Sequence, residues 1–244
     1  MQIQFSNVTK RYGRVTALDQ VTLDLAPGQI VAALGANGAG KTTLLRCLAT
    51  IAAPGKGQIS IDGEPLRRDR IDQRQRIMFL PDGPVAYAHL TPLRHIAMVL
   101  GLYGKSTEAI AHHTTDVLAS LDLLPLIDTP LSRLSRGQIY KTMLATLFLA
   151  DPELWLFDEP LASGIDPAGI IYFKQQCREA AARGRTVIYS TQLLDIAERF
   201  SDRVCILQGG AVRFFDTVEA ILRSATQPQS SLEDIFSQLR EAAL

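Results

Sequence analysis

No excess of either charge is present: 25 Lys and Arg stand against 25 Asp and Glu in 244 residues, so nothing draws the whole chain to nucleic acid or an anionic membrane. Any polyanion must be met locally. Cysteine is scarce, with only Cys47, Cys177 and Cys205, far apart and without CxxC spacing, which argues against a disulfide framework and a zinc site. The cytoplasm is the expected compartment. Long apolar runs are missing too. The longest stretch free of Asp, Glu, Lys and Arg, Leu25 to Gly40, is broken by Pro27 and several glycines, unlike the roughly 20 apolar residues of a membrane helix. No direct membrane span is expected. The start, Met1-Gln-Ile-Gln-Phe-Ser-Asn, lacks the basic and apolar segments of a secretory signal. Among the four histidines there is no metal-ligand spacing; His112 and His113 are neighbours and do not share a helix face.

What is present is an ordinary globular composition, 47% hydrophobic and 20% charged, long enough to bury a substantial core in one large domain or two small ones. Val21-Thr-Leu-Asp-Leu25 alternates as a half-buried strand does, whereas Gln29-Ile-Val-Ala-Ala-Leu34 is a continuous apolar run, the pattern of a strand covered on both faces. A helix is expected from Gly40 to Thr50, and short strands at Gln58–Gly63 and Arg76–Pro81. From Thr91, a natural N-cap before Pro92, to about Ala150 the apolar spacing is helical and strand candidates are absent. An inserted helical subdomain is expected there. Strands return at Glu153–Phe157, Thr186–Ser190 and Arg203–Leu207, separated by helical segments long enough for parallel crossovers. Ser224 to Ser231 reads as a polar linker, and the residues from Leu232 as a short amphipathic helix. There is no internal repeat.

The chemistry concentrates after the apolar run. Gly35-Ala-Asn37-Gly38-Ala39-Gly40-Lys41-Thr42 fits GxxxxGK[ST] between a buried strand and a helix start. Glycines there let successive backbone N–H groups converge on a phosphate at a helix N-terminus, where the dipole also favours negative charge. Lys41 is expected to reach the β- and γ-phosphates, and the Thr42 hydroxyl to ligate Mg²⁺; Thr43 belongs to the same turn. The second half of such a site is a carboxylate at the end of a buried strand, and Leu154-Trp-Leu-Phe-Asp158-Glu159 supplies two. Asp158 fits the Mg²⁺-holding acid, and Glu159 the general base that polarises an attacking water.

With these motifs the sequence resembles the nucleotide-binding subunit of an ATP-binding cassette (ABC) transporter over roughly Ile3 to Phe215. The distinguishing element is Leu134-Ser135-Arg136-Gly137-Gln138, similar to the family signature LSGGQ, with Arg136 in place of its first glycine. Ser135, the Gly137 amide, Gln138 and the following helix N-terminus would form a second phosphate-binding surface. In the family that surface serves the opposite subunit, so the resemblance implies a head-to-tail homodimer sandwiching two ATPs. It further implies that Tyr12 stacks on adenine and that Ser163-Gly-Ile-Asp166 links the two sites. Two positions depart from the pattern. Asp82, in Phe79-Leu-Pro-Asp82, stands where the family usually has Gln; an acid there resembles the ABC-2 exporter branch, could still coordinate Mg²⁺, and would need its charge offset by that metal. Gln192, in Ser190-Thr-Gln192, stands where the family usually has the switch His. Its amide donates a neutral hydrogen bond but cannot become cationic or shuttle a proton, so slow hydrolysis is expected. Ser231-Leu-Glu-Asp-Ile-Phe236 also looks like the tail of ABC-2 exporter ATPases.

The resemblance therefore implies an α/β fold of ABC ATPase type: a P-loop NTPase (RecA-like) core with an antiparallel β edge and an inserted α-helical subdomain at about 84–150. Residues 1–223 would form the ATPase domain, with a linker and C-terminal amphipathic helix at 224–244. The function implied is an ATP-hydrolysing subunit that drives an integral membrane permease, an ABC-2 type exporter, by ATP-driven dimer closure. It would lie in the cytoplasm, peripheral on the inner face of the plasma membrane through that permease, with the helical insert and the Asp82 loop as contact surface. A slow-turnover ATP switch holding a membrane complex is a second reading, motivated by Gln192 and Asp82. A soluble ABC protein of translation or DNA repair is a third; those resemble tandem cassettes or carry very long coiled-coil inserts, and the balanced charge speaks against nucleic acid.

Overall fold

Residues 30–34 form a fully buried strand, and the rest of the molecule is arranged on its two faces. The computed structural model describes residues 1–83, 85–105, 111–223 and 232–241. In chain order it begins with β1 (Ile3–Tyr12), β2 (Val15–Leu25), β3 (Ile30–Leu34), α1 (Lys41–Leu48), β4 (Lys56–Ile61), the two-residue β5 (Glu64–Pro65), the single turn α2 (Ile71–Arg74) and β6 (Ile77–Leu80). The helical segment follows as α3 (Pro92–Leu102), α4 (Ala111–Ser120) and α5 (Arg136–Ala150). Then come β7 (Leu154–Phe157), α6 (Pro167–Ala182), β8 (Thr186–Thr191), α7 (Leu194–Phe200), β9 (Arg203–Gln208), β10 (Ala211–Thr217), α8 (Val218–Arg223) and α9 (Leu232–Glu241).

Two sheets result. The larger has the order β10-β9-β3-β8-β7-β6, parallel except for the β10 edge. The smaller, β2-β1-β4-β5, is antiparallel. Strand β3 sits inside the larger sheet, so both its faces need apolar cover. Val31 and Ala33 meet the smaller sheet and α1, through Leu44, Leu45 and Leu48. Ile30, Ala32 and Leu34 belong to the core on the other face, with Trp155, Phe157, Phe173 and the helical segment. A helix with apolar residues on every face must be buried, and every residue of α5 from Tyr140 to Ala150 is, with Lys141, Thr142 and Thr146 as the polar ones.

The expected strands at 21–25, 29–34, 58–63, 76–81, 153–157, 186–190 and 203–207 all appear within a few residues. Thr91 is the N-cap of α3, accepting from the Arg94 N–H, with Pro92 in the first turn. The sequence pattern does not single out strands β1 and β10. Left-handed Asn7 and Gln20, with register shifts along the β1–β2 pair, interrupt the alternation there. The expected linker at 224–231 lies outside the described residues, while Leu232 and Ile235 of α9 are buried in the same core as Ala197 and Phe200 of α7. All three cysteines are buried and unpaired, and burial pushes the Cys47 thiol up to about 11 and that of Cys205 to about 12. Among the described residues no helix is long and apolar enough to cross a membrane.

Candidate functional site: a phosphate cradle at the strand ends

Parallel register brings the site together. Leu34 lies opposite Thr191, Phe157 opposite Tyr189 and Leu80 opposite Phe157. The residues that follow these strands, Gly35, Asp158 and Asp82, therefore collect at the carboxyl ends of the sheet with Ser190, where open α/β sheets form their binding crevices.

The loop after β3 is shaped by what its glycines avoid. A Cβ on Gly35 would press on the Leu207 carbonyl at 2.6 Å, and one on Gly40 would collide with the Ala17 carbonyl. Gly40 also holds φ 111°, in the left-handed region that L side chains rarely adopt. It is the N-cap of α1, so the free amides of that helix open into the loop. Lys41 is 7% exposed; its ammonium donates to the Gly35 carbonyl at 2.8 Å and the Ala36 carbonyl at 3.3 Å, and lies 3.6 Å from a Glu159 carboxylate oxygen.

Opposite the loop, Asp158 is held in place by two hydroxyls. Its Oδ1 accepts from Thr42 Oγ1 at 3.0 Å and from Ser190 Oγ at 2.6 Å. The Asp158 N–H donates to the Leu80 carbonyl at 2.9 Å, extending the ladder of the neighbouring strand. Ser190 does more. Its hydroxyl also accepts from the Glu159 N–H at 2.9 Å, and so ties both acids to one buried point. Glu159 stands at φ 47°, a left-handed conformation uncommon for a side chain of this size. Such backbone strain gathers at functional sites, where surrounding contacts hold it.

These groups face a cleft of about 520 Å³. Of the residues expected from sequence, Asn37, Gly38, Ala39, Gly40, Lys41, Thr42, Thr43, Asp82, Asp158, Glu159 and Gln192 line it. Gly35 contributes through its carbonyl to Lys41. Five others lie elsewhere. Tyr12 is 47% exposed at the end of β1, with Lys10 Nζ 5.1 Å from its ring centre, and Val15 and Ala17 form the cleft wall instead. Ser135, Gly137 and Gln138 start α5: Ser135 Oγ accepts from the Gln138 N–H, and Gln138 Oε1 from the Ser135 N–H, a complete capping box. Asp166 caps α6 and is paired with the buried Lys141 at 2.5 Å. The start of α5 is nonetheless packed on the loop that leads to Asp166: a Cβ on Gly137 would collide with the Gly164 carbonyl.

Two contacts at the cleft have no counterpart in the sequence pattern. Ser190 carries no motif, although a serine near the end of a fully buried strand is itself a signal. Asp82 is already partnered: Arg136 Nη2 donates to its Oδ1 at 2.8 Å. Gln192 lines the cleft and does not cap α7, whose N-cap is Leu193 with no side-chain bond.

The hydroxyl of Thr42 and the carboxylates of Asp158 and Asp82 are hard oxygen donors facing one cleft. That donor set suits Mg²⁺ better than a softer metal. The loop amides and Lys41 suit phosphate oxygens.

Comparison with known proteins identifies the family. The family model described as "ABC transporter" matches residues 18–162. The ABC-type transporter ATP-binding protein EcsA of Bacillus subtilis (strain 168) is 31% identical over 237 residues, covering 97% of this chain and 96% of its own length. The Nod factor export ATP-binding protein I of Paraburkholderia xenovorans (strain LB400) is 34% identical over 212 residues, 85% of this chain and 68% of its own. Among solved structures, an ATP-binding subunit of an ABC transporter superposes with a TM-score of 0.93 at 29% identity, covering 98% of this chain and all of its own. The dimeric, ADP- and Pi-bound ATP-binding cassette MJ0796, at 24% identity, shares the fold with a TM-score of 0.79 over 88% of this chain and 98% of its own. This chain belongs to the ABC transporter family, as an ATP-binding subunit.

Proposed function

We propose that the chain hydrolyses ATP to drive an exporter of the ABC-2 type, closing head to tail with a second copy over two nucleotides and reopening after hydrolysis. The observation that carries the reading is the arrangement of Lys41, Thr42, Asp158 and Glu159 on one cleft. The loop amides and Lys41 would bind and orient the β- and γ-phosphates. Thr42, Asp158 and Asp82 would hold Mg²⁺, which neutralises charge on the transferring phosphoryl group when bound. Glu159 would orient the attacking water and take its proton, and Gln192 would donate a neutral hydrogen bond beside it. Second-copy binding is supported by what one copy lacks. Ser135, Gly137, Gln138 and Asp166 are motif residues outside the cleft of their own subunit, and in a head-to-tail pair they would complete the partner's site.

Contact with a membrane permease is supported by a groove of about 490 Å³ between the larger sheet and the helical segment. Ile51, Ile71 and Leu102 are each more than half exposed there, beside Phe79 and Tyr103. An apolar surface of this kind suits a partner helix. The peripheral place at the cytoplasmic membrane face follows from that partner. The ABC-2 assignment is supported by Asp82 and by the tail at 231–236.

Turnover of ATP by the purified chain, alone and with its permease, tests the reading. Glu159→Gln should lower steady-state hydrolysis about 10²- to 10⁴-fold, the usual contribution of a positioned base, while ATP is still bound. An unchanged rate refutes the role of Glu159. The slow-switch reading is favoured by the absence of an ionisable residue at Gln192; one rapid turnover followed by a far slower steady state would select it.

A further inference from the structure

Two of the three positions at which this chain departs from the family pattern, Arg136 and Asp82, touch each other. Arg136, in place of the first signature glycine, donates from Nη2 to Asp82 Oδ1 at 2.8 Å and to the Asp82 carbonyl at 3.2 Å. The two residues are 54 apart in sequence and about half exposed. Asp82 is on the wall of the nucleotide cleft, and Arg136 is the first residue of α5, directly after its cap. The charges make sense together. A bare carboxylate facing a triphosphate repels it, whereas glutamine would not; a glycine at 136 would leave that carboxylate without a cation.

We propose that Arg136 is a positioning residue for the nucleotide site of its own subunit. It neutralises Asp82 while no metal is bound, and yields it when the nucleotide's Mg²⁺ recruits that carboxylate. Asp82 then chooses between the guanidinium and the metal, and the choice links the cleft to the N-terminus of α5. Metal binding at Asp82 releases a cation onto the signature surface, the surface assigned above to the partner's ATP. The proposal rests on reading the cleft as an ATP site.

Linkage fixes the signs. Removing Arg136 exposes the Asp82 charge to metal-free ATP and weakens its binding. The same change frees Asp82 for Mg²⁺ and tightens metal binding. Damage to α5 would weaken both, so opposite shifts are diagnostic. The test uses the full chain carrying Glu159→Gln, so that ATP survives. A fluorescent ATP analogue is titrated in EDTA, and Mg²⁺ is then titrated onto the protein with that analogue in place. Arg136→Gly should weaken metal-free binding about two- to fivefold and strengthen Mg²⁺ binding by a similar factor, the range of a half-exposed ion pair. Arg136→Lys should restore most of both effects, and Asp82→Gln should abolish the response to Arg136→Gly. Equal affinities with and without Arg136, or shifts of one sign, overturn the proposal. A parent protein that binds the analogue in neither condition overturns the ATP reading as well.

Discussion

Ser190→Ala removes one oxygen atom from the point where the two acids of the site are tied. The Ser190 hydroxyl donates to Asp158 at 2.6 Å and accepts from the Glu159 N–H at 2.9 Å, in a residue with no exposed surface. A hydrogen bond to a charged group contributes about 1.5–3 kcal/mol, and a polar group left unpaired costs about 1 kcal/mol or more. Glu159 is partly exposed, so water recovers some of the second loss. The sum is about 2–4 kcal/mol, below the roughly 5–15 kcal/mol that holds a typical domain together. The variant should fold. In a chain of this size each kcal/mol shifts the melting temperature about 2–4 °C, so calorimetry without nucleotide should show a fall of roughly 5–15 °C. The bond to Asp158 is strong because the acceptor is ionised. In an Asp158→Asn background the penalty for losing Ser190 should therefore drop to about half. A fall below about 1 °C, or a penalty unchanged by Asp158→Asn, would refute this account of how the acids are held.

Three further outcomes follow from the geometry. Gly40→Ala should abolish nucleotide binding, because its Cβ collides with the Ala17 carbonyl and its φ is left-handed; retained binding in an equilibrium titration would show that the loop yields. Gln192→His restores an ionisable group to the cleft and should leave the steady-state ATPase rate equal or higher, so a clear fall would mean that the neutral amide itself is needed. Asp166 supplies a pH dependence. The Lys141 ammonium, helped by the Gly169 N–H, holds the Asp166 carboxyl below the ordinary carboxylate range. A depressed folded-state value adds stability above the unfolded value near pH 4, and that stability is lost as pH falls through the folded one. Asp166→Asn should therefore weaken the protein against urea at pH 7, with the difference shrinking steadily below about pH 4; a gap constant with pH would contradict the pairing.

Much of this protein was determined by sequence alone, for reasons of local physics. A glycine-rich turn after a continuous apolar run, and two acids after another, are fixed by backbone geometry and burial, and both stand where the pattern placed them. Thr91-Pro92 and Ser135 to Gln138 carry their own helix-start chemistry, and both helices begin there. Strands β1 and β10 are illegible in the sequence although each pairs with its neighbour across a two-residue turn, because register shifts in both pairs, and left-handed Asn7 in β1, break the alternation. The tertiary structure alone decided which expected residues share the cleft. Strand register brings Ser190 level with Asp158 from the neighbouring strand, and chain crossing brings Arg136 to Asp82 over 54 residues. The offset for Asp82's charge, expected from a metal, is in this structure the Arg136 guanidinium. A charge reads in sequence as a property of one position; only the fold shows which opposite charge stands beside it.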